Sequence, residues 1–343
     1  MDRLKERAQL DGWIPVRLSW EGGRPIVEWC YLGSRGFGNS LSDRTLEECL
    51  HRPFNLLFSH RTPIEVLGQW SETGPGLAPT GFIFHISPLG SSVVSRLLSA
   101  VPDSLVLSEV SPIDSTLRAH FHCPSVTDER RMVWLHWMVS ALSQSPGGGL
   151  RCFFIKFHPW NFLELPLIRR AFPHVPWIFI YSDPVEALLS QLDHRGAHMI
   201  PGVIDPKLFG MDDHGIYGME PEEYGARVLA SICRAALLNH TEGGMLVNYA
   251  DLPDAIWSSI SEFLGVGQSQ AESATLRRLA GLHAKTPALG FRNDFAANRT
   301  KIIDKVREAA SRWLYPVYEE LEKVRVESAS SLASDLPRAS TLS

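Results

Sequence analysis

Apolar positions along the chain follow two different periods. Near the N-terminus, Trp13–Trp20 and Pro25–Leu32 form short runs in which apolar and polar residues alternate, the pattern of half-buried strands, and a short helix is predicted near Leu41–Leu50. From Gly81 onward the apolar residues gather into short continuous runs separated by amphipathic stretches. Gly81–Ile86, Cys152–Phe157 and Pro176–Tyr181 read as buried strands, with Met245–Tyr249 a fourth. Helices are predicted at Ser91–Val101, Thr127–Gln144, Pro184–Leu192, residues 221–239 and Pro253–Leu264. The start of the Pro184 helix is clearly marked, with Asp183 at the N-cap, Pro184 at the first helical position and Glu186 at the third.

Strands that alternate with helices imply an α/β fold with a parallel sheet covered by helices on both faces. Residues 1–71 read as a small α+β lead-in, residues 72–80 (Glu-Thr-Gly-Pro-Gly-Leu-Ala-Pro-Thr) as a linker, and residues 81–326 as the main α/β domain. A long amphipathic helix over about Thr300–Val324 contains Pro316, which predicts a kink. The Ser- and Ala-rich stretch 327–343 has no apolar period and is expected to be disordered.

Composition narrows the partners. The chain has 343 residues, with 33 basic against 38 acidic side chains and a net charge of −5, so no global field draws it to nucleic acid. No apolar run approaches the ~20 residues needed to cross a bilayer. The charged start Met1-Asp2-Arg3-Leu4-Lys5-Glu6-Arg7 lacks an apolar core, so a cytoplasmic protein without a secretory signal is expected. Five scattered cysteines, none spaced CxxC, fit buried free thiols better than a zinc ribbon or a disulfide framework. His120-Phe121-His122-Cys123 offers soft ligands but no second pair at metal spacing, so no metal is expected.

The chemistry concentrates where the first strand of the main domain turns into a helix, in the run Gly-Phe-Ile-Phe-His-Ile-Ser-Pro-Leu-Gly-Ser-Ser-Val-Val-Ser-Arg from Gly81 to Arg96. Three hydroxyls (Ser87, Ser91, Ser92) and Gly90 lead into a helix N-terminus, where free amides and the helix dipole favour a phosphate or sulfate. Many αβ turns carry Gly and Ser without binding an anion. The GxxxxGK[ST] phosphate loop is absent, and no Lys follows Gly90, which disfavours a nucleotide kinase.

Phe82-Ile-Phe-His-Ile-Ser-Pro-Leu-Gly-Ser-Ser92 resembles the 5′-phosphosulfate loop of the sulfotransferase superfamily, and Trp177-Ile-Phe-Ile-Tyr-Ser-Asp-Pro-Val-Glu-Ala-Leu-Leu-Ser190 resembles its 3′-phosphate element. The resemblance covers about Gly81–Leu264 and is nearer to bacterial sulfotransferase-like proteins than to the animal cytosolic enzymes. It implies a P-loop-type parallel sheet, 3′-phosphoadenosine 5′-phosphosulfate (PAPS) as cosubstrate, and transfer of a sulfuryl group to a hydroxyl or amine of a small-molecule acceptor. It also implies roles for Ser87, Gly90, Ser91, Ser92 and Ser190 in holding the cosubstrate.

This chain departs from the family pattern at both principal cations. Pro88 stands where the first loop has a basic residue, and Ser182 where the second element has Arg. Arg96, Lys156, Arg195, Arg292 and Lys301 are the candidate substitutes. Lys156-Phe157-His158-Pro159 resembles the family's Lys-x-His segment, which implies that Lys156 stabilises charge on the leaving oxygen and that His158 accepts the acceptor's proton. Glu109 sits where some members place an acidic base. Read as plain structure, His158 is a strand-end histidine bonded to backbone, and Glu109 a loop carboxylate capping Ser111 or a nearby amide. The alternative function is a protein of this fold that has lost PAPS and uses the pocket for other chemistry or binding. Arg195–Tyr217 is the candidate lid or acceptor loop.

Overall fold

In a computed structural model, the described residues are 10–33, 39–144, 149–240, 243–252, 255, 259–266 and 296–334. Arg292 and five of the twelve residues of the helix expected over Pro253–Leu264 (253, 254 and 256–258) lie outside them, and so does the side chain of Lys301. The chain divides into two compact units. One comprises residues 1–84, 91–177 and 253–287, and the other 85–90, 178–252 and 288–343.

The first unit begins with a hairpin of β1 (Trp13–Glu21) and β2 (Arg24–Tyr31), whose ends pair at Glu21 and Arg24. Only two residues turn the chain, and both central positions need positive φ. Gly22 and Gly23 supply it, at +56° and +77°. A further strand, β4 (His60–Pro63), pairs antiparallel with β2 and completes a three-stranded sheet.

Between β2 and β4, the strand β3 (Ser40–Ser42) belongs to a different sheet and pairs in parallel with β6 (Ser104–Ser108). With β5 (Gly81–His85) and β7 (Cys152–Lys156) the parallel order is β3-β6-β7-β5. The β5 strand is buried along its whole length, and β6 and β7 nearly so, which is why they read as unbroken apolar runs rather than alternating ones. Phe84 stacks on Phe157 at 4.7 Å, and Phe162 meets Phe84 edge-on at 5.0 Å. The Asp128–Leu142 helix starts at Thr127, whose hydroxyl accepts from the Arg130 amide at 3.4 Å.

The expected lead-in contributes to the main sheet, since its β3 is the edge strand of the parallel order. The stretch 72–80 is bonded to the residues around it. Its first residues, Glu72 and Thr73, end the Glu65–Thr73 helix. The Gly76 amide then donates to Ser140 Oγ at 3.0 Å, and Gln144 Nε2 donates to the Gly74 carbonyl at 2.8 Å.

In the second unit, β8 (Trp177–Tyr181) and β9 (Gly244–Asn248) are neighbours. Asp183 caps the Pro184–Asp193 helix as expected, its carboxylate accepting from the amides of Val185 at 2.9 Å and Glu186 at 3.2 Å. The helix Pro221–Leu238 follows. Pro316 stands just past an irregular turn of the long helix expected there. The helix Ala296–Ala309 passes through one π turn, Ala310–Leu314, before continuing as Tyr315–Ser334. A π turn lets the ladder skip the amide that proline lacks. The expected disorder from residue 327 is likewise corrected, since the helix carries on through Ser334.

Candidate active site

Two parallel strands of the first unit end side by side, and their next residues bring the candidate side chains together. Lys156 is the last residue of β7, and Glu109 follows the end of β6. The Glu109 amide donates to the Lys156 carbonyl at 2.7 Å, which extends the ladder by one bond. Glu109 has φ +54°, a left-handed conformation that costs a non-glycine residue about 1–2 kcal/mol. Its carboxylate reaches the Lys156 ammonium at 2.7 Å. Lys156 is 5% exposed, so its charge lies out of water and depends on that partner.

His158 lies two residues beyond Lys156 at the entrance to a 3₁₀ turn, Pro159–Glu164. The turn fixes the residue, because the Asn161 amide donates to the His158 carbonyl at 3.0 Å while the Asn161 side chain accepts from the His158 amide at 3.2 Å. The imidazole also stacks on Trp160 at 4.4 Å and 14°. Two carboxylates flank it, Asp43 Oδ2 at 3.8 Å from Nε2 and Glu109 Oε2 at 3.9 Å from Nδ1. Neither distance is a hydrogen bond, so the ring is held by its stack on Trp160 and faces negative charge on both sides.

Asp43 and Asp114 complete the cluster, and sequence reasoning missed both. Asp43 opens the Asp43–Leu50 helix and accepts from Ser111 twice, from the amide at 2.5 Å and the hydroxyl at 2.7 Å. Ser111 is thus held by Asp43 at this distance in sequence, a partner other than the expected Glu109. Burial raises the Asp43 carboxyl above the usual range, and the Ser111 bonds and His158 offset only part of that. Asp114 accepts from Trp160 Nε1 at 2.6 Å, Asn161 Nδ2 at 2.8 Å and Arg118 at 2.6 and 2.9 Å. Burial pushes its carboxyl up, but His158, Arg118 and those bonds outweigh it and hold it below the usual range. The one local signal was Asp43 at a helix start, where a carboxylate is expected anyway.

The candidate cosubstrate residues lie apart from that cluster in sequence. In the turn after β5, His85 Nδ1 donates to the Ser87 carbonyl at 2.7 Å and Gln191 Nε2 to the Ile86 carbonyl at 2.7 Å, which fixes the loop from both sides. Gly90 has φ +77°, and a Cβ there would come within 2.7 Å of Tyr249 and 2.9 Å of Leu252. Ser87 and Ser91 are buried, whereas Ser92 is exposed. The helix begins earlier than expected, at Pro88, and spans Pro88–Leu98. Arg96 is therefore in its last turn, exposed and about 12 Å along the axis from its first residue. Ser190 is half-buried on the Pro184–Asp193 helix. Ser182 is buried, with a hydroxyl that has no hydrogen-bond partner among the described residues.

The His120–Cys123 run is a short helix, Ala119–His122, with Cys123 at its cap. Among the described residues no three His, Cys, Asp or Glu side chains group as metal ligands, and no helix is long and apolar enough to cross a membrane. Arg195–Tyr217 holds two 3₁₀ turns, Ala197–Met199 and Pro206–Phe209, and a short helix, Asp213–Ile216.

No family model matches the chain, and no curated protein matches it in sequence. Among solved structures it is similar to sulfotransferase STF9 from Mycobacterium avium, at 13% identity over 75% of this chain and 81% of that one, with a TM-score of 0.45. It is also similar to a sulfotransferase from Alicyclobacillus acidocaldarius, at 14% identity over 71% and 96%, TM-score 0.39. Mouse sulfotransferase SULT7A1, solved in complex with PAP, matches at 12% identity over 76% and 94%, TM-score 0.38. Likenesses of this degree assign no activity to the chain.

Proposed function

We propose that the protein is a transferase that moves a sulfuryl group from PAPS to a hydroxyl or amine of a small molecule. The observation that carries this reading is the grouping of Lys156, Glu109 and His158 where two parallel strands end, the edge at which α/β sheets place their ligands. Lys156 presents a positive charge for an oxygen that becomes more negative as a bond to it breaks. His158, fixed by Asn161 and Trp160, is placed to accept a proton from an incoming hydroxyl. Asp43 and Glu109 on either side stabilise the imidazolium that results. Glu109, already paired with Lys156, is then an orienting group and His158 the base.

PAPS supplies a sulfuryl group on a phosphate leaving group. The loop fits its anionic end only in part: Ser92 is exposed, Ser87 and Ser91 are buried, and the side of Gly90 where a Cβ would stand is filled by Tyr249 and Leu252. Pro88 and Ser182 are uncharged, so neither supplies the cationic contact that the family pattern has at its position.

Buried, uncharged Ser182 favours a second reading, in which the fold has given up PAPS and the Lys156 cluster serves other chemistry or binding. Calorimetric titration with 3′-phosphoadenosine 5′-phosphate (PAP), with ATP and ADP as controls, separates the two. Micromolar affinity (about −8 kcal/mol) that weakens in Lys156→Ala supports sulfuryl transfer. Absence of binding up to millimolar PAP removes it and leaves the second reading.

A further inference from the structure

The turn that follows His158, Pro159–Glu164, is tied to the Ser111–Leu117 helix at both of its ends. Near its start, Asp114 Oδ1 accepts from Trp160 Nε1 at 2.6 Å and from Asn161 Nδ2 at 2.8 Å. At its close, Arg131 Nη1 donates to Glu164 at 2.9 Å and to the Leu117 carbonyl at 2.8 Å, so one guanidinium spans the end of the turn and the end of the helix. Asp114, Arg131, Trp160, Asn161 and Glu164 are all buried. These bonds are therefore made out of water, where an unpaired partner is costly.

The two side chains that Asp114 holds are the two that hold His158. The Trp160 indole stacks on the imidazole at 4.4 Å and 14°. Asn161 bonds the His158 backbone from both sides, at 3.2 Å to its amide and 3.0 Å to its carbonyl. Backbone bonds place the residue but leave χ1 and χ2 open, so the direction of the ring depends on the indole face. An indole has a single donor, and the bond of that donor to Asp114 sets the rotation of the indole.

Asp114 is itself fixed. Its other oxygen, Oδ2, accepts from Arg118 Nε at 2.9 Å and Nη2 at 2.6 Å, one turn along, which leaves Oδ1 aimed at the two donors of the turn. Among the described residues Asp114 forms its ion pair with Arg118, whereas Asp43 and Glu109 are the carboxylates nearest the imidazole nitrogens. Two carboxylates thus face the ring without bonding it, and a third bonds what the ring leans on.

We propose that Asp114 is the positioning residue of His158, setting the direction of the imidazole through Trp160 and Asn161 rather than by a bond to the ring. The loss of rate expected from disturbing it rests on the reading of His158 as the base of sulfuryl transfer. The positioning itself does not.

The test reads the ring directly. Protons of an imidazole stacked on an indole face are shielded, and the shielding disappears with the stack. Proton NMR of the full chain, recorded at about pH 9 so that imidazole protonation does not contribute, identifies His158 by the ring signals missing from His158→Gln. In Asp114→Ala these signals are expected to move downfield. Arg118→Met breaks the ion pair but leaves Oδ1 to Trp160 and Asn161, and should keep them in place. Asp114→Leu combined with Arg118→Met removes the pair whole, leaves no buried charge alone, and should shift them as Asp114→Ala does. That double variant decides the matter if Asp114→Ala fails to fold. With PAPS and a phenolic acceptor, Asp114→Ala should lower kcat by about 10²-fold at a KM near the parent's. The proposal is overturned if the His158 signals of a folded Asp114 variant coincide with the parent's, or if Arg118→Met moves them as far as Asp114→Ala. The shift without any turnover by the parent would uphold the positioning role and remove sulfuryl transfer alone.

Discussion

Each of the two units carries a polar cluster where strands end, and the two clusters are built on opposite principles. In the second unit, Glu322 is saturated. It accepts from the Tyr181 hydroxyl, from Asn248 Nδ2 at 2.9 Å, and from Arg325 at 2.7 and 3.1 Å, and Arg325 in turn reaches Asp251 at 2.9 Å. Burial pushes the Glu322 carboxyl up, but these bonds outweigh it and hold it below the usual range. In the first unit, the His158 ring has two carboxylates at 3.8 and 3.9 Å and bonds to neither. Glu109 occupies a strained backbone conformation to reach Lys156, and Asp43 is held above the usual carboxylate range. One cluster has spent its polar groups on cohesion. The other keeps charge close to an unbonded imidazole and tolerates strain, which is the pattern of a site rather than of a brace.

The sharpest way to break that contrast is to exchange its expected consequences. His158→Ala is expected to slow PAP release from PAPS with a phenolic acceptor by about 10²–10⁴-fold, the usual contribution of a positioned base. The same change should cost no more than about 1.5 kcal/mol in urea unfolding, the worth of one aromatic stack. A large loss of stability with an unchanged rate would make His158 a structural residue and remove the contrast.

Glu322→Ala should behave in the opposite way. It strips the acceptor from Tyr181, Asn248 and Arg325 together. Charge-assisted bonds contribute about 1.5–3 kcal/mol each in buried settings, and partial exposure here reduces the net loss to about 2 kcal/mol. Urea unfolding monitored by far-UV circular dichroism reads it directly. Stability equal to the parent's would show that the second cluster is not a brace.

The contrast also explains what the sequence makes legible. The buried strands Gly81–His85, Cys152–Lys156 and Trp177–Tyr181 are readable because their apolar runs are local, and so is the Asp183 cap. Ser104–Ser108 is not, because five residues between Asp103 and Glu109 are too short a run to stand out from a loop. Lys156, His158 and Glu109 are candidates through their resemblance to a motif, and the structure brings the three together. Asp43 is invisible as a site residue because its partner, Ser111, is 68 positions away, and no spacing encodes a contact made by two strands of one sheet lying side by side. Glu322 is hidden for the same reason, lying 141 positions from Tyr181.

A pH series distinguishes the two clusters with the smallest perturbation, one oxygen replaced by an amide nitrogen. For Glu322 the folded-state value is depressed, so its stabilisation is present above the ordinary carboxylate range and is lost as pH falls through the folded value. Glu322→Gln should therefore destabilise the protein near neutrality, and the difference should shrink toward zero in acid, at about pH 3. For Asp43 the folded-state value is raised, because burial, with a contribution from Asp114, exceeds what the Ser111 bonds and His158 return. Its carboxyl favours folding when protonated, and that advantage disappears as pH rises through the folded value. Asp43→Asn keeps an oxygen for Ser111 and removes a charge that neutral pH forces into a buried place. It should match or exceed the parent in stability near pH 7 and lose that margin by about pH 4. Urea midpoints across this range measure both, and the two variants should move in opposite directions relative to the parent. If both lose stability near neutrality and recover in acid, the Asp43 carboxylate is a brace like Glu322, and the distinction between the two clusters fails.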